Sequence, residues 1–214
     1  IPSSTFIPIA EASGLINEIG IWVVKQAALD CLTWHKLGFN QLGVSINASP
    51  EQFKKGNFGS LVLKTLKQQK LDPSYLDIEI TESLFIEDEK NIQAQIHQMV
   101  SQGISISIDD FGTGYSNLNY LTKFNASTLK IDQSFIKNMM HERNQYHLVD
   151  AILKMSHAIG IENIAEGIED KSTANILMKL GCRYGQGYYW SEPISQTQFC
   201  EFLQSWPKRN QLTA

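Results

Sequence analysis

The sequence predicts an α/β fold, a (β/α) barrel of the TIM type, on three observations. First, a unit recurs in which a helical segment ends at glycine and a short β-branched strand follows. "LTWHKLGFNQLGVSINAS", "IQAQIHQMVSQGISISIDD", "LVDAILKMSHAIGIENIAEG" and "ANILMKLGCRYGQGYYWS" are its four instances. Helix and strand in alternation imply parallel strands joined by helical crossovers. Second, four of the strands are apolar at one parity and polar at the other. Third, acidic and amide residues gather at the C-terminal ends of the strands, where such barrels carry their active sites.

Taken in order, the opening "IPSSTFIPIAEASGLI" reads as loop and helix. Strands are expected near 42–47, 76–80, 104–108, 127–131, 162–166 and 184–188. Gly38, Gly103, Gly160 and Gly181 sit where helix C-caps belong. Helical spacing puts Ile92, Ile96, Met99 and Val100 on one face, and Leu148, Ile152, Met155 and Ile159 on another. In the strands, Val44 and Ile46 oppose Ser45 and Asn47, and Ile78 and Ile80 oppose Asp77 and Glu79. Ile104, Ile106 and Ile108 oppose Ser105, Ser107 and Asp109, and Leu129 and Ile131 oppose Lys130 and Asp132. Successive strand residues point to opposite faces, so the aliphatic face meets the helices and the polar face meets something shared by all the strands. A barrel lumen fits that description, whereas a doubly wound sheet wants both faces apolar. Six strands stand where eight close such a barrel, in a chain somewhat short of the usual length of about 250 residues. No linker or low-complexity stretch divides residues 1–214, which read as one domain.

The composition excludes several classes of function. No apolar run approaches the roughly 20 residues of a membrane span. The net charge is −4, with no basic stripe to neutralise the phosphates of a nucleic-acid duplex. Cys31, Cys182 and Cys200 show no paired spacing and read as reduced, buried thiols of a reducing compartment. The five histidines form no zinc-binding pattern. Trp22, Trp34, Trp190 and Trp206 read as core or interface aromatics. Gly14, Gly112 and Gly114 suit turns that need positive φ.

The strand ends contribute Asn47, Glu79, Asp109 with Asp110, Lys130, Glu166 and Gln186. Each alone has an ordinary structural role: a capped turn for the Asp-Asp pair, a buried ion pair for Glu79 and Lys130, a core amide for Gln186. Together at one rim, three or four carboxylates repel one another unless some are protonated or cations lie among them. Ligation by oxygen alone suits Mg²⁺ or Mn²⁺. Asp109 is placed to bridge two ions with Asp110 beside it. A two-metal clamp is the usual device for displacement at a phosphodiester, and Lys130 adds a positive donor near the attacking water.

At these residues the sequence resembles the EAL-domain family of bacterial cyclic di-GMP phosphodiesterases. "FIPIAEASGLI", "VSINAS", "IEITES", "IDDFGTGYSNLNYL", "LKIDQSFI", "IAEGIE" and "GYYWSEPI" run in family order over essentially the whole chain. The resemblance implies that Asn47, Glu79 and Asp109 bind one metal, and that Asp109, Asp110 and Glu166 bind the second. It implies that Lys130 orients the nucleophilic water, with Gln186 as its neighbour. It implies that Phe111, Gly112, Thr113 and Gly114 belong to a loop linking metal binding to dimerisation, anchored by Glu82, with Glu169 completing an E-x-x-E pair. Asp132 and Pro193 fall in stretches that line the dinucleotide pocket. The implied reaction is hydrolysis of cyclic di-GMP to linear pGpG with Mg²⁺ or Mn²⁺, inhibited by Ca²⁺. The implied setting is the bacterial cytoplasm, in a homodimer formed through the region around Tyr115 to Phe124, with sensor or GGDEF-type domains in a parent protein that can be membrane-anchored.

One departure stands out. The Glu-Ala-Leu motif that names the family, which supplies a further metal ligand, is absent; "EASGL" at Glu11 matches a later helix. The expectation is therefore a fragment of a longer enzyme, lacking its first strands and impaired as given. The alternatives are a cyclic di-GMP receptor without turnover and a protein-interaction module.

Overall fold

The computed structural model describes residues 1–54, 56–82, 84, 89–112, 121 and 124–206. Thr113, Gly114 and most of the expected dimerisation region at Tyr115–Phe124 lie outside the described residues, as does the chain after Trp206. Six strands form one sheet: β1 (Val44–Asn47), β2 (Leu76–Thr81), β3 (Ser105–Phe111), β4 (Thr128–Ile131), β5 (Glu162–Ala165) and β6 (Tyr184–Gly185). They lie in chain order and every neighbouring pair is parallel. This is a half-barrel. Among the described residues β1 pairs only with β2, and β6 only with β5.

Helices α1 (Ser3–Ser13) and α2 (Ile16–Lys36) precede the sheet. The crossovers carry α3 (Pro50–Lys54), α4 (Phe58–Gln69), α5 (Glu89–Ser101), α6 (Gln133–Asn138), α7 (Arg143–Ala158) and α8 (Lys171–Lys179), and α9 (Gln196–Ser205) follows the last strand. Helices stop where the sequence says they should. Gly38, Gly103, Gly160 and Gly181 have φ of 95°, 99°, 75° and 93°, a left-handed conformation that glycine reaches without steric cost. Gly14, at φ 77°, ends α1 in the same way. The last helix, α9, begins with a capping box in which Ser195 and Gln198 exchange side-chain and backbone hydrogen bonds.

The two faces of the sheet separate by parity. Ile78, Ile80, Ile106, Ile108, Leu129 and Ile131 are fully buried in one apolar cluster with Val24, Val62, Leu66, Ile96 and Met99 from the helices. The core face of α7 differs from the expected one. Val149, Ile152, Leu153 and Ser156 face inward, whereas Leu148 and Ile159 are exposed. The polar Ser156 takes a core position because its hydroxyl bonds Asn163 Oδ1 of β5 at 2.6 Å, so the stripe turns by about one residue. Of the tryptophans, Trp22 lies on the outer face of α2 and is 63% exposed, and is not a core residue. All three cysteines are free; Cys31 and Cys182 are buried, and Cys200 is only half-buried.

Candidate active site at the strand ends

The polar faces of β2 to β4, with Glu166 just past the end of β5, converge on Lys130. It lies on β4, 3% exposed. Its Nζ meets Glu79 Oε2 at 2.7 Å, Glu166 Oε1 at 2.8 Å and Asp109 Oδ1 at 2.9 Å. Burial alone would pull the Lys130 pKa down, but hydrogen bonds to Glu166, Glu79 and Asp109 outweigh it and hold the ammonium above the usual lysine range. Burial pushes the Glu79 and Glu166 carboxyls up, and Lys130 only partly opposes it. One cation among three carboxylates leaves an excess of buried negative charge, a costly arrangement unless further positive charge enters.

A layer lower in the lumen, Asp77 accepts a 2.8 Å hydrogen bond from Ser107 Oγ. Burial raises its carboxyl too, against the opposing bonds from Ser107 and Ser45.

Asp110 reaches the site by a break in the strand. Strict alternation would turn it away from Asp109, toward the helices. Instead the β3–β4 register shifts between Ile108 and Phe111, and Asp110 takes φ 53°. A bulge of this kind re-aims a side chain. Carboxylate oxygens of Asp109, Asp110 and Glu166 consequently lie within 4.8 Å of one another. Burial first, then the charges of Asp109 and Asp132, push the Asp110 carboxyl up. Hard oxygen donors with an excess of negative charge fit a divalent cation.

The other expected residues fall into three groups. Glu166 and Gln186 stand one residue past the ends of β5 and β6; the sixth strand is shorter than expected. Both line a cleft of about 540 Å³ that also takes in Gln133, Lys137, Glu169 and Pro193. The Gln186 backbone is clamped, its amide donating to Ala165 and its carbonyl accepting from Ile168. Beside the cluster, Glu82 Oε1 accepts a 3.1 Å bond from the Gly112 amide. Gly112 has φ 97°, and a Cβ there would come within 2.8 Å of the Phe135 ring. Phe111 is buried. Asp132 caps α6 through the Ser134 amide at 2.9 Å. Asn47 stands apart. The register sets it opposite Glu79, but it is exposed and lines a second cleft with Glu11, Ser49 and Gln52. Glu169 is exposed as well, paired with Lys137 at 3.0 Å. No sequence motif singles out Lys137. The one signal for it is spacing, one helical turn after Gln133, the first residue of the helix that follows the Lys130 strand.

A parallel half-barrel with a lysine-centred carboxylate cluster at the C-terminal ends of its strands defines a class: a TIM-type domain with a cluster of hard oxygen donors at its rim. Comparison with known proteins gives the family. Residues 1–193 match the EAL domain family, and the chain belongs to it. It is 36% identical over 208 residues to the signaling protein YkoW of Bacillus subtilis, covering 97% of this chain and 26% of that protein. It is 36% identical over 193 residues to the bifunctional diguanylate cyclase/cyclic di-GMP phosphodiesterase MucR of Pseudomonas aeruginosa, covering 90% and 28%. The chain thus spans about a quarter of the length of these relatives. Among solved structures, the PaMucR phosphodiesterase in complex with c-di-GMP superposes with a TM-score of 0.88 at 35% identity, over 93% of this chain and 81% of that one. The EAL enzyme Bd1971, bound to cAMP and cyclic di-GMP, gives 0.89 at 34%, over 95% and 56%. Among the described residues no helix is long and apolar enough to cross a membrane.

Proposed function

We propose that this domain hydrolyses one phosphodiester of cyclic di-GMP to linear pGpG in a metal-dependent reaction. The observation that carries the reading is the cluster of Asp109, Asp110 and Glu166 beside Lys130; the MucR relative, a cyclic di-GMP phosphodiesterase, supports the substrate. Asp109, Asp110 and Glu166 would hold one divalent cation, and Asn47, Glu79 and Asp109 a second, with Asp109 shared. Such cations, when bound, supply Lewis-acid polarisation of the phosphodiester and lower the pKa of a water.

The chain's own groups do the rest. Lys130, paired with Glu166 of the cleft wall, offers a fixed positive donor and aligns the three carboxylates around it. Gln186, held by its backbone bonds, presents an amide to the same space. Glu82 and Gly112 tie the β3 end in place, and Asp132, Glu169 and Pro193 shape the approach. The physiological setting that goes with this function is the bacterial cytoplasm, in a homodimer and beside sensor or GGDEF-type domains.

The test is to incubate the chain with cyclic di-GMP and Mn²⁺ and to follow pGpG by chromatography. Turnover that EDTA, Ca²⁺ or Asp109→Asn abolishes is the expected result. Turnover indifferent to EDTA would contradict it. A second possibility, binding without turnover, draws on one observation: Lys130 already occupies the space between Glu79, Asp109 and Glu166. Binding in EDTA with no product in Mn²⁺ would select it.

A further inference from the structure

The cleft beside Glu166 has a charge imbalance that Lys130 does not correct. Its walls carry Glu166, Glu169 and Glu192, and among its described lining residues Lys137 alone is cationic. Lys130 lies beneath, with its ammonium committed to three carboxylates. Lys137 projects from α6 and pairs with Glu169, the two side chains being 49% and 58% exposed. An ion pair that open to solvent is weak and easily exchanged for another partner.

A cyclic dinucleotide brings two phosphodiesters. If the proposed function holds, one lies at the carboxylate cluster to be cut. The other must lie elsewhere in a cleft whose charged lining residues are acidic but for Lys137, and an uncompensated phosphate there would be repelled. We infer that Lys137 is a specificity-determining residue: its ammonium leaves Glu169 to hold the phosphodiester that is not cut. Lysine suits this task as a mobile point charge on a flexible stem, and a hydrogen bond from a cation to phosphate is among the stronger polar contacts available. The role predicts tighter binding of the doubly charged ligand without any contribution at the reacting atoms.

The experiment compares wild type, Lys137→Ala and Lys137→Arg by calorimetric titration with cyclic di-GMP in Ca²⁺, and by steady-state kinetics in Mn²⁺. Loss of one charge-assisted contact is expected to weaken binding roughly tenfold. It should appear as a raised KM with kcat unchanged, should be largely recovered in Lys137→Arg, and should shrink as salt is raised toward about 0.5 M, where exposed charges are screened. Unchanged affinity in Lys137→Ala would overturn the inference. So would a fall in kcat at constant KM, or a loss undiminished by salt, which would instead indicate contact with a base. A wild-type chain that neither binds nor cleaves the ligand would overturn the proposed function of the site, and the inference with it; a working wild type beside an unaffected Lys137→Ala overturns the inference alone.

Discussion

The centre of the sheet and its two edges solve different problems. In β2, β3 and β4 every strand has a neighbour on both sides, the aliphatic residues are sealed against helices, and the polar residues are locked to one another around Lys130. At the edges, β1 leaves Asn47 exposed, and both residues of β6 are exposed. Charge concentrates where the backbone is most constrained. That is where a fixed constellation of carboxylates is easiest to hold against its own repulsion, and it is where a cation would relieve most of that repulsion. The edges carry groups that approach a ligand from the side: Asn47 on one, Gln186 and its cleft on the other.

The largest expected effect lies at the centre. Lys130→Ala would strand Glu79, Asp109 and Glu166 without a buried cation, costing about 3–5 kcal/mol and abolishing turnover. Denaturant unfolding checks the first part; a loss below about 1 kcal/mol would remove the contrast between centre and edge.

Next comes the divalent cation itself. The Glu79, Glu166 and Asp110 carboxyls are raised by burial. A raised carboxyl contributes stability that is complete below the ordinary carboxylate range, near 4, and is lost as pH climbs through the raised folded value. In EDTA the melting temperature should therefore fall as pH rises from the ordinary carboxylate range through the raised folded values. Mn²⁺ binds the ionised forms, so its stabilisation should be larger at the upper end of that range, reaching about 2.7 kcal/mol at a hundredfold excess over its dissociation constant. Thermal melts across that range with and without Mn²⁺ measure it, and equal shifts at both ends would count against the assignment.

The β6 edge gives a smaller effect. A Cβ on Gly187 would come within 2.1 Å of the Ile168 carbonyl oxygen. Gly187→Ala should cost about 1–3 kcal/mol by overpacking and shift Gln186 enough to slow turnover while Mn²⁺ binding persists. Smallest of all, Asn47→Ala on exposed β1 should change stability by no more than about 0.5 kcal/mol, seen in the same unfolding assay, while weakening the second cation.

Parity alone makes the centre legible in the sequence. The alternation in "LDIEI", "ISISID" and "LKID" separates the residues that pack on helices from those that meet in the lumen, and glycine marks the helix ends. Three features escape it for physical reasons. Asp110 joins Asp109 only because a bulge interrupts the alternation, and nothing in "IDDFG" specifies a bulge by period alone. The face of α7 is set by a buried Ser156–Asn163 hydrogen bond, which an apolar count passes over. Lys137 enters the cleft through the placement of α6, a tertiary fact with no motif behind it.

The most direct test is the binding of Mn²⁺ to the intact chain, counted by electron paramagnetic resonance in the presence of cyclic di-GMP in wild type and Asp109→Asn. A two-metal site with Asp109 as the shared ligand predicts two ions per chain, and loss of both in the variant. No saturable binding, or an Asp109→Asn chain that binds as the wild type does, would contradict the carboxylate cluster as the seat of the chemistry.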